Sequence, residues 1–271
     1  MPASYAHYHF AKEVLSLVKP NIKTLIDQNR SAYDLGCHGP DILFYNEPYH
    51  KNKVNRTGYA LHDQTAASFL KNARLVYANT RKKDDSAYLL SYLLGFVTHY
   101  LLDYNEHSYV EAKIKHSHIS HTEIEMEFDR YLMELDEKDP LSYDTAAHLK
   151  ITKDSARVLG QLYKLEGKDI YKSVKQMIFY LRLLRAPNKL KRKALIKAMK
   201  TIAPGKPYDK QIISLTPNAL CDDSNLRMFK YMQKALPLYA QLSENLIAYL
   251  NGQSDLDPYF DHTFEYQDNY L

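Results

Sequence analysis

Histidine and carboxylate spacing is where this chain shows chemistry. Of 12 histidines in 271 residues, ten fall between His7 and His121. In GFVTHYLLDYNEH, His99, Asp103 and His107 follow one another at intervals of four. On a helix of 3.6 residues per turn, these side chains stack on one face. His99 also sits in an apolar run, residues 86–102, that contains no Asp, Glu, Lys or Arg. A buried imidazole needs a partner, and Asp103 one turn away serves either as a plain hydrogen-bond partner or as a metal co-ligand. His121 and Glu125 repeat the spacing, and such a pair can chelate Zn²⁺ from one helix face while leaving a coordination position open. Upstream candidates are His7 in AHYHFA, Asp41 in GCHGPDILFY and His62 in LHD. Each has a bland counterpart: packing for His7, an N-cap for Asp41, a helix-opening polar residue for His62. The donors are nitrogen and oxygen only, which favours a catalytic over a structural zinc site. His9, His38, His50, His116 and His118 enrich the same region without an assigned role.

Helices are the elements that must position these residues. Apolar residues recur at three and four over residues 14–18, 61–75, 124–135, 155–165, 173–184, 189–199 and 226–250. Breaks fall at Gly39-Pro40, Pro48, Pro140, Pro187, 204–207 and Asn251-Gly252. Sustained period-two alternation is absent, so the expectation is all-α, a single multi-helix domain over residues 1–251. Residues 252–271, polar, aromatic and acidic, are expected to form a loosely docked tail. Two cysteines exclude a disulfide scaffold or multi-cysteine zinc module. A net charge of +4 does not point to nucleic acid, and none is expected as a partner. The first ten residues lack a basic-then-apolar leader pattern and residues 86–102 fall short of a bilayer span. The expected location is cytoplasmic.

AHYHFA, GPDILFY, LHD, GFVTHYLLDYNEH and HTEIEMEFDRYL, in this order, resemble the zinc-dependent phospholipase C family. The resemblance covers residues 1–135 and implies an all-α fold of the phospholipase C/P1 nuclease type. It further implies one zinc held by Asp41, His62, His99 and Asp103, and a second held by His107, His121 and Glu125. A third would use His7, with Asp103 bridging to the first. In the secreted members an N-terminal Trp completes that third site. This chain has no Trp, which leaves two or three zinc ions and Pro2 as a substitute amine. Ser4, Tyr5 and Ile42 occupy positions that in those enzymes help to recognise choline, so choline specificity is not implied.

The implied activity is phosphoester hydrolysis, on a lipid or a soluble phosphodiester, with metal-activated water attacking phosphorus. By the same resemblance Asp41 is the candidate catalytic residue, accepting the water proton. Phe44, Tyr45 and Tyr49 are candidate substrate walls or core aromatics. Residues 170–208 hold eleven Lys or Arg and no acid. Residues 182–200 could meet an anionic membrane surface through a basic amphipathic helix, or simply be a solvated face. Two other readings stand beside the phosphoesterase. An HD-type metal-dependent nucleotide phosphohydrolase would use His38, His62, Asp63 and Asp103. A non-catalytic helical module would keep metals as staples.

Overall fold

The apolar run of residues 86–102 becomes the middle of the longest helix, α6 (Lys83–Ser117). In the computed structural model, which describes residues 4–117, 119–202 and 207–264, every residue of α6 from Leu89 to Asp103 is buried. A helix apolar on all sides has to be wrapped by others. Its wrapping includes α1 (Ser4–Glu13), α2 (Pro20–Gln28), α3 (Arg30–Gly36), α5 (Ala66–Asn79), α7 (His121–Leu135), α8 (Lys153–Tyr163) and α11 (Asp222–Leu250). The others are α4 (Lys53–His62), α9 (Gly167–Leu184) and α10 (Lys189–Ile202). No β-strand occurs among the described residues; one isolated bridge joins Thr65 to Thr263. The fold is all-α, as the periodicity indicates.

α3 lies against α6 almost backbone to backbone. A Cβ at Gly36 would stand 2.1 Å from the Tyr92 carbonyl oxygen, and one at Gly95 would stand 2.3 Å from that of Tyr33. This approach brings the Gly39–Tyr45 3₁₀ helix, which carries Asp41, beside the His99–Asp103 face of α6. One hydrophobic cluster then extends from Tyr5 on α1 to Phe264 near the end of the described chain.

The structure refines three local expectations. Residues 61–75 are two helices rather than one: α4 ends at His62, and the Thr65 hydroxyl accepts the Ser68 N–H to start α5. A capping hydroxyl offers the backbone a terminus that the apolar period runs through. His62 therefore closes a helix. Two aromatics dock within residues 252–264: Phe260 and Phe264 are buried in the aromatic cluster around Tyr100, while the residues around them stay exposed or half-buried; residues 265–271 lie outside the described set. Arg192, read as part of the basic face of α10, is buried and donates to the Ile213 carbonyl. No helix among the described residues is long and apolar enough to cross a membrane.

Candidate metal centre

Four elements converge on one interior point. His7 comes from α1, Asp41 from the 3₁₀ segment, His62 from the end of α4, and His99 and Asp103 from α6. Asp129 of α7 accepts the backbone N–H groups of Tyr5 and Ala6 (3.0 and 2.7 Å), anchoring the first turn of α1 and with it His7. Asp41 is presented by the turn at Gly39 (φ 48°), whose carbonyl lies 3.2 Å from the Tyr92 hydroxyl and 3.1 Å from that of Tyr163. Gly39 also leaves room for an imidazole: a Cβ there would lie 2.3 Å from the His99 ring.

Asp103 faces three imidazoles. Its Oδ1 is 3.4 Å from His7 Nε2, and its Oδ2 is 3.1 Å from His99 Nε2 and 3.8 Å from His62 Nε2. Asp41 stands opposite, 3.0 Å from His62 Nε2 and 3.9 Å from His99 Nδ1. Ligand atoms of His62, His99 and Asp103 fall within 4.8 Å of one another, as do those of His7, Asp41 and His99. The resemblance joins His7 to Asp103; the geometry also draws His7 toward Asp41 and His99. Pro2, the substitute amine for a third site, lies outside the described residues.

Five polar atoms here are close to charged neighbours without being hydrogen-bonded. Both oxygens of Asp41, both nitrogens of His99 and Nδ1 of His7 are buried with no hydrogen-bond partner. His62 Nδ1 is 3.0 Å from the Gly58 carbonyl; donation there leaves the Nε2 lone pair facing the Asp41 carboxylate. Lone pair against lone pair at 3.0 Å is repulsive unless a proton or a metal cation lies between. Burial pushes His7 down to about 3 and His99 far below its ordinary value. The same burial raises Asp41, against the pull of His62. Burial thus holds the His7 and His99 imidazoles neutral, and neutral imidazoles with carboxylates are the donor set that zinc takes.

A second group stands one turn along α6. Ligand atoms of His107, His121 and Glu125 lie within 4.8 Å of one another. The Ser120 hydroxyl caps α7 by accepting the Glu123 N–H, which places His121 and Glu125 on its first turns. His107 Nδ1 lies 3.3 Å from the Phe264 carbonyl, directing its Nε2 to Glu125 at 3.8 Å. His121 Nε2 meets Glu125 Oε1 at 2.8 Å, and its Nδ1 is 3.5 Å from Glu111. These residues too fit zinc.

Without metal, His121 and Glu125 are an ion pair. The Glu125 charge raises His121 to about 9 against the opposing cost of burial. Burial would raise Glu125, but His121 outweighs it and holds the carboxyl down at about 2. The raised imidazole contributes stability that is complete below its ordinary 6.5 and lost as pH climbs through 9. The lowered carboxyl contributes stability complete above its ordinary 4.5 and lost on acidification through 2. The metal-free pair is thus strongest between these ordinary values, and zinc competes with a proton on His121 until pH 9. Zinc uptake is expected to release a proton and to tighten from pH 6.5 to 9, with the slope reduced in His121→Ala. Calorimetry in buffers of different ionisation enthalpy reads this; pH-independent uptake would count against the assignment.

Several important carboxylates escape a reading by ligand spacing. Glu106, three residues past Asp103, is buried with Oε1 unpartnered and its pKa raised by burial, then by Glu125 and Asp129. It lines a cavity of about 20 Å³ with His7, Asp103, His107 and Glu125. Asp129 follows Glu125 by four. Both spacings are visible in the sequence, but only the packing shows the role. Among the candidate walls, Phe44 stacks on Tyr59 (4.4 Å) and reaches His62 (5.1 Å), Tyr45 is buried in the core and Tyr49 is exposed. His9 pairs with Asp136, His38 pairs with His148, and Asp63 is exposed at the end of α4. An HD-type grouping of His38, His62, Asp63 and Asp103 is therefore not assembled. His118 lies outside the described residues.

Comparison with curated proteins finds no match, and comparison with solved structures finds none either. A family model, zinc-dependent phospholipase C, matches residues 6–177. That range covers well over half of the chain and contains every ligand candidate from His7 to Glu125. The chain belongs to the zinc-dependent phospholipase C family.

Proposed function

We propose that the protein is a zinc-dependent phosphodiesterase of phospholipase C type that acts on a lipid phosphodiester. The observation that carries this reading is the convergence of buried, unpartnered Asp41 and His99 atoms with His62 and Asp103. One zinc would be held by Asp41, His62, His99 and Asp103, a second by His107, His121 and Glu125, and a third by His7 together with Asp103. Zinc held there supplies Lewis acidity to phosphoryl oxygens and acidifies water to near neutrality. The protein's share is positioning and proton handling. Gly58 orients His62, Phe264 orients His107, and Asp129 fixes α1 beneath His7. Asp41, raised by burial, would accept the proton of the attacking water.

An apolar cavity of about 150 Å³ supports a lipid over a soluble substrate. It opens from Phe44, beside His62, and is lined by Tyr59, Tyr180, Leu195 and Met199 among others. Apolar lining next to phosphate-directed metals suits an amphiphile. α10 forms one wall and exposes Lys189, Lys193 and Lys197, with Leu190 and Ile202 also outward. That face suits an anionic membrane surface. Its binding to vesicles containing anionic lipid is expected to fall steeply with salt, and salt-insensitive sedimentation would remove it. The two free, buried cysteines fit a reducing, cytoplasmic setting.

Asp41→Asn separates the two roles of this residue. Hydrolysis of a phospholipid is expected to fall about 10²- to 10⁴-fold, as for loss of a proton acceptor, with zinc content falling less than twofold. Equal loss of zinc and activity would make Asp41 a ligand only. Full activity in the variant, or none in the wild type across lipid and soluble diesters, would defeat the hydrolase reading.

A further inference from the structure

Beyond the zinc centre, another convergence of metal-binding groups joins two parts of the chain. Cys37 caps the C-terminus of α3, His38 follows it, and His148 comes from a turn after α7. Their sulfur and imidazole nitrogen atoms lie within 4.8 Å of one another. His38 Nε2 faces His148 Nε2 at 2.8 Å. Cys37 and His38 are fully buried, and the His148 ring lies flat on Tyr8 at 3.8 Å and 11°. None of these residues belongs to the donor sets assigned to the zinc centre, although the His38 ring is 6.4 Å from that of His7.

Two imidazoles meeting nitrogen to nitrogen share one proton. A second proton, which would make the pair cationic, is opposed by burial: His38 is pushed down to about 3 and His148 is lowered as well. Both rings thus stay neutral and can turn lone pairs to a metal. The Cys37 thiol makes only a weak bond, to the Asp34 carbonyl at 3.1 Å. In a tetrahedral zinc site, Zn–S and Zn–N bonds of about 2.3 and 2.0–2.1 Å set the ligand atoms roughly 3.3–3.6 Å apart. The two Nε2 atoms at 2.8 Å and the 4.8 Å limit on all three atoms bracket that range, and the two Nε2 atoms need to part by only about half an ångström. A thiolate makes this donor set softer than its nitrogen–oxygen neighbour.

We infer that Cys37, His38 and His148 form a separate, thiolate-containing site for Zn²⁺. The ion binds as Zn²⁺ and displaces the thiol proton to solvent, with no redox change. It clamps the turn around His148 to the end of α3, next to the Gly39 turn that presents Asp41 and, through Tyr8, to the helix that carries His7.

Cobalt(II) provides the test, because the two sites differ in sulfur. Metal-free full-length protein, kept reduced, is titrated with Co²⁺ alone. The visible d–d bands of nitrogen–oxygen ligation report the main centre, and a near-ultraviolet thiolate-to-cobalt charge-transfer band reports this one. The band is expected to level off at the amplitude of one thiolate–cobalt site per chain, to vanish in Cys37→Ser and His148→Gln, and to persist in Cys221→Ser. His148 is only partly buried, so His148→Gln with an unchanged far-ultraviolet circular dichroism spectrum guards against misfolding. No charge-transfer band at cobalt excess, or one that survives in Cys37→Ser or folded His148→Gln, overturns the inference. Neither result depends on whether the main centre fills or hydrolyses anything.

Discussion

Replacing Asp103 with alanine is expected to lower kcat/KM for phosphodiester hydrolysis by at least about 10³-fold, with loss of bound zinc. Its two oxygens face His7, His99 and His62 at 3.4, 3.1 and 3.8 Å. A carboxylate placed between those imidazoles supplies both coordination and the negative charge that makes dication binding in a buried site tolerable. Removing it leaves Asp41 as the one carboxylate among three imidazoles, too little charge to hold the ions there. Zinc's stabilisation of phosphoryl charge is worth several kcal/mol, and about 4 kcal/mol corresponds to about 10³ in rate. A steady-state assay beside metal analysis checks this. Zinc retained with activity within tenfold of wild type would show that Asp103 is a hydrogen-bond partner of His99.

The second large effect is on stability. Gly95→Ala would place a Cβ 2.3 Å from the Tyr33 carbonyl oxygen and 2.9 Å from the Cys37 amide nitrogen. Both are backbone atoms, so no rotamer change relieves the clash; α3 and α6 must separate along their buried contact. Overpacking of this kind costs about 1–3 kcal/mol or more, and about 3 kcal/mol corresponds to a Tm drop of roughly 6–12 °C in a chain of this size. The same displacement moves Asp41 away from His99, so zinc retention should fall too. Calorimetry reads the first and metal analysis the second. A Tm unchanged within about 2 °C would mean the helices are not held at this distance.

The helix that carries the chemistry was legible because two signals coincide on it. Residues 86–102 are too apolar to face water, and His99, Asp103 and His107 share the helical interval, so a buried helix with a polar face follows from the sequence. Glu125 and His121 were legible for the same local reason. Asp41 and His62 were not readable from spacing, since their convergence depends on α3 lying against α6 and on α4 returning to it; the family resemblance supplied them. Glu106 and Asp129 needed burial to become visible: one is a carboxylate without a partner, the other caps a helix from another element. The end of α4 was missed because the apolar period continues through Asp63–Thr65, and only the Thr65 hydroxyl marks the break. The charge of the tail hides two aromatics, Phe260 and Phe264, that fill the space beside His62 and Tyr100 and that composition alone does not reveal.

Everything proposed for catalysis rests on metal filling the gap between Asp41, His62, His99 and Asp103. The most direct measurement is the zinc content of the purified wild-type protein after exhaustive dialysis against metal-free buffer. At least two tightly held zinc equivalents per chain are expected. Protein that is folded, yet carries no zinc and takes up none when it is offered, would contradict the account.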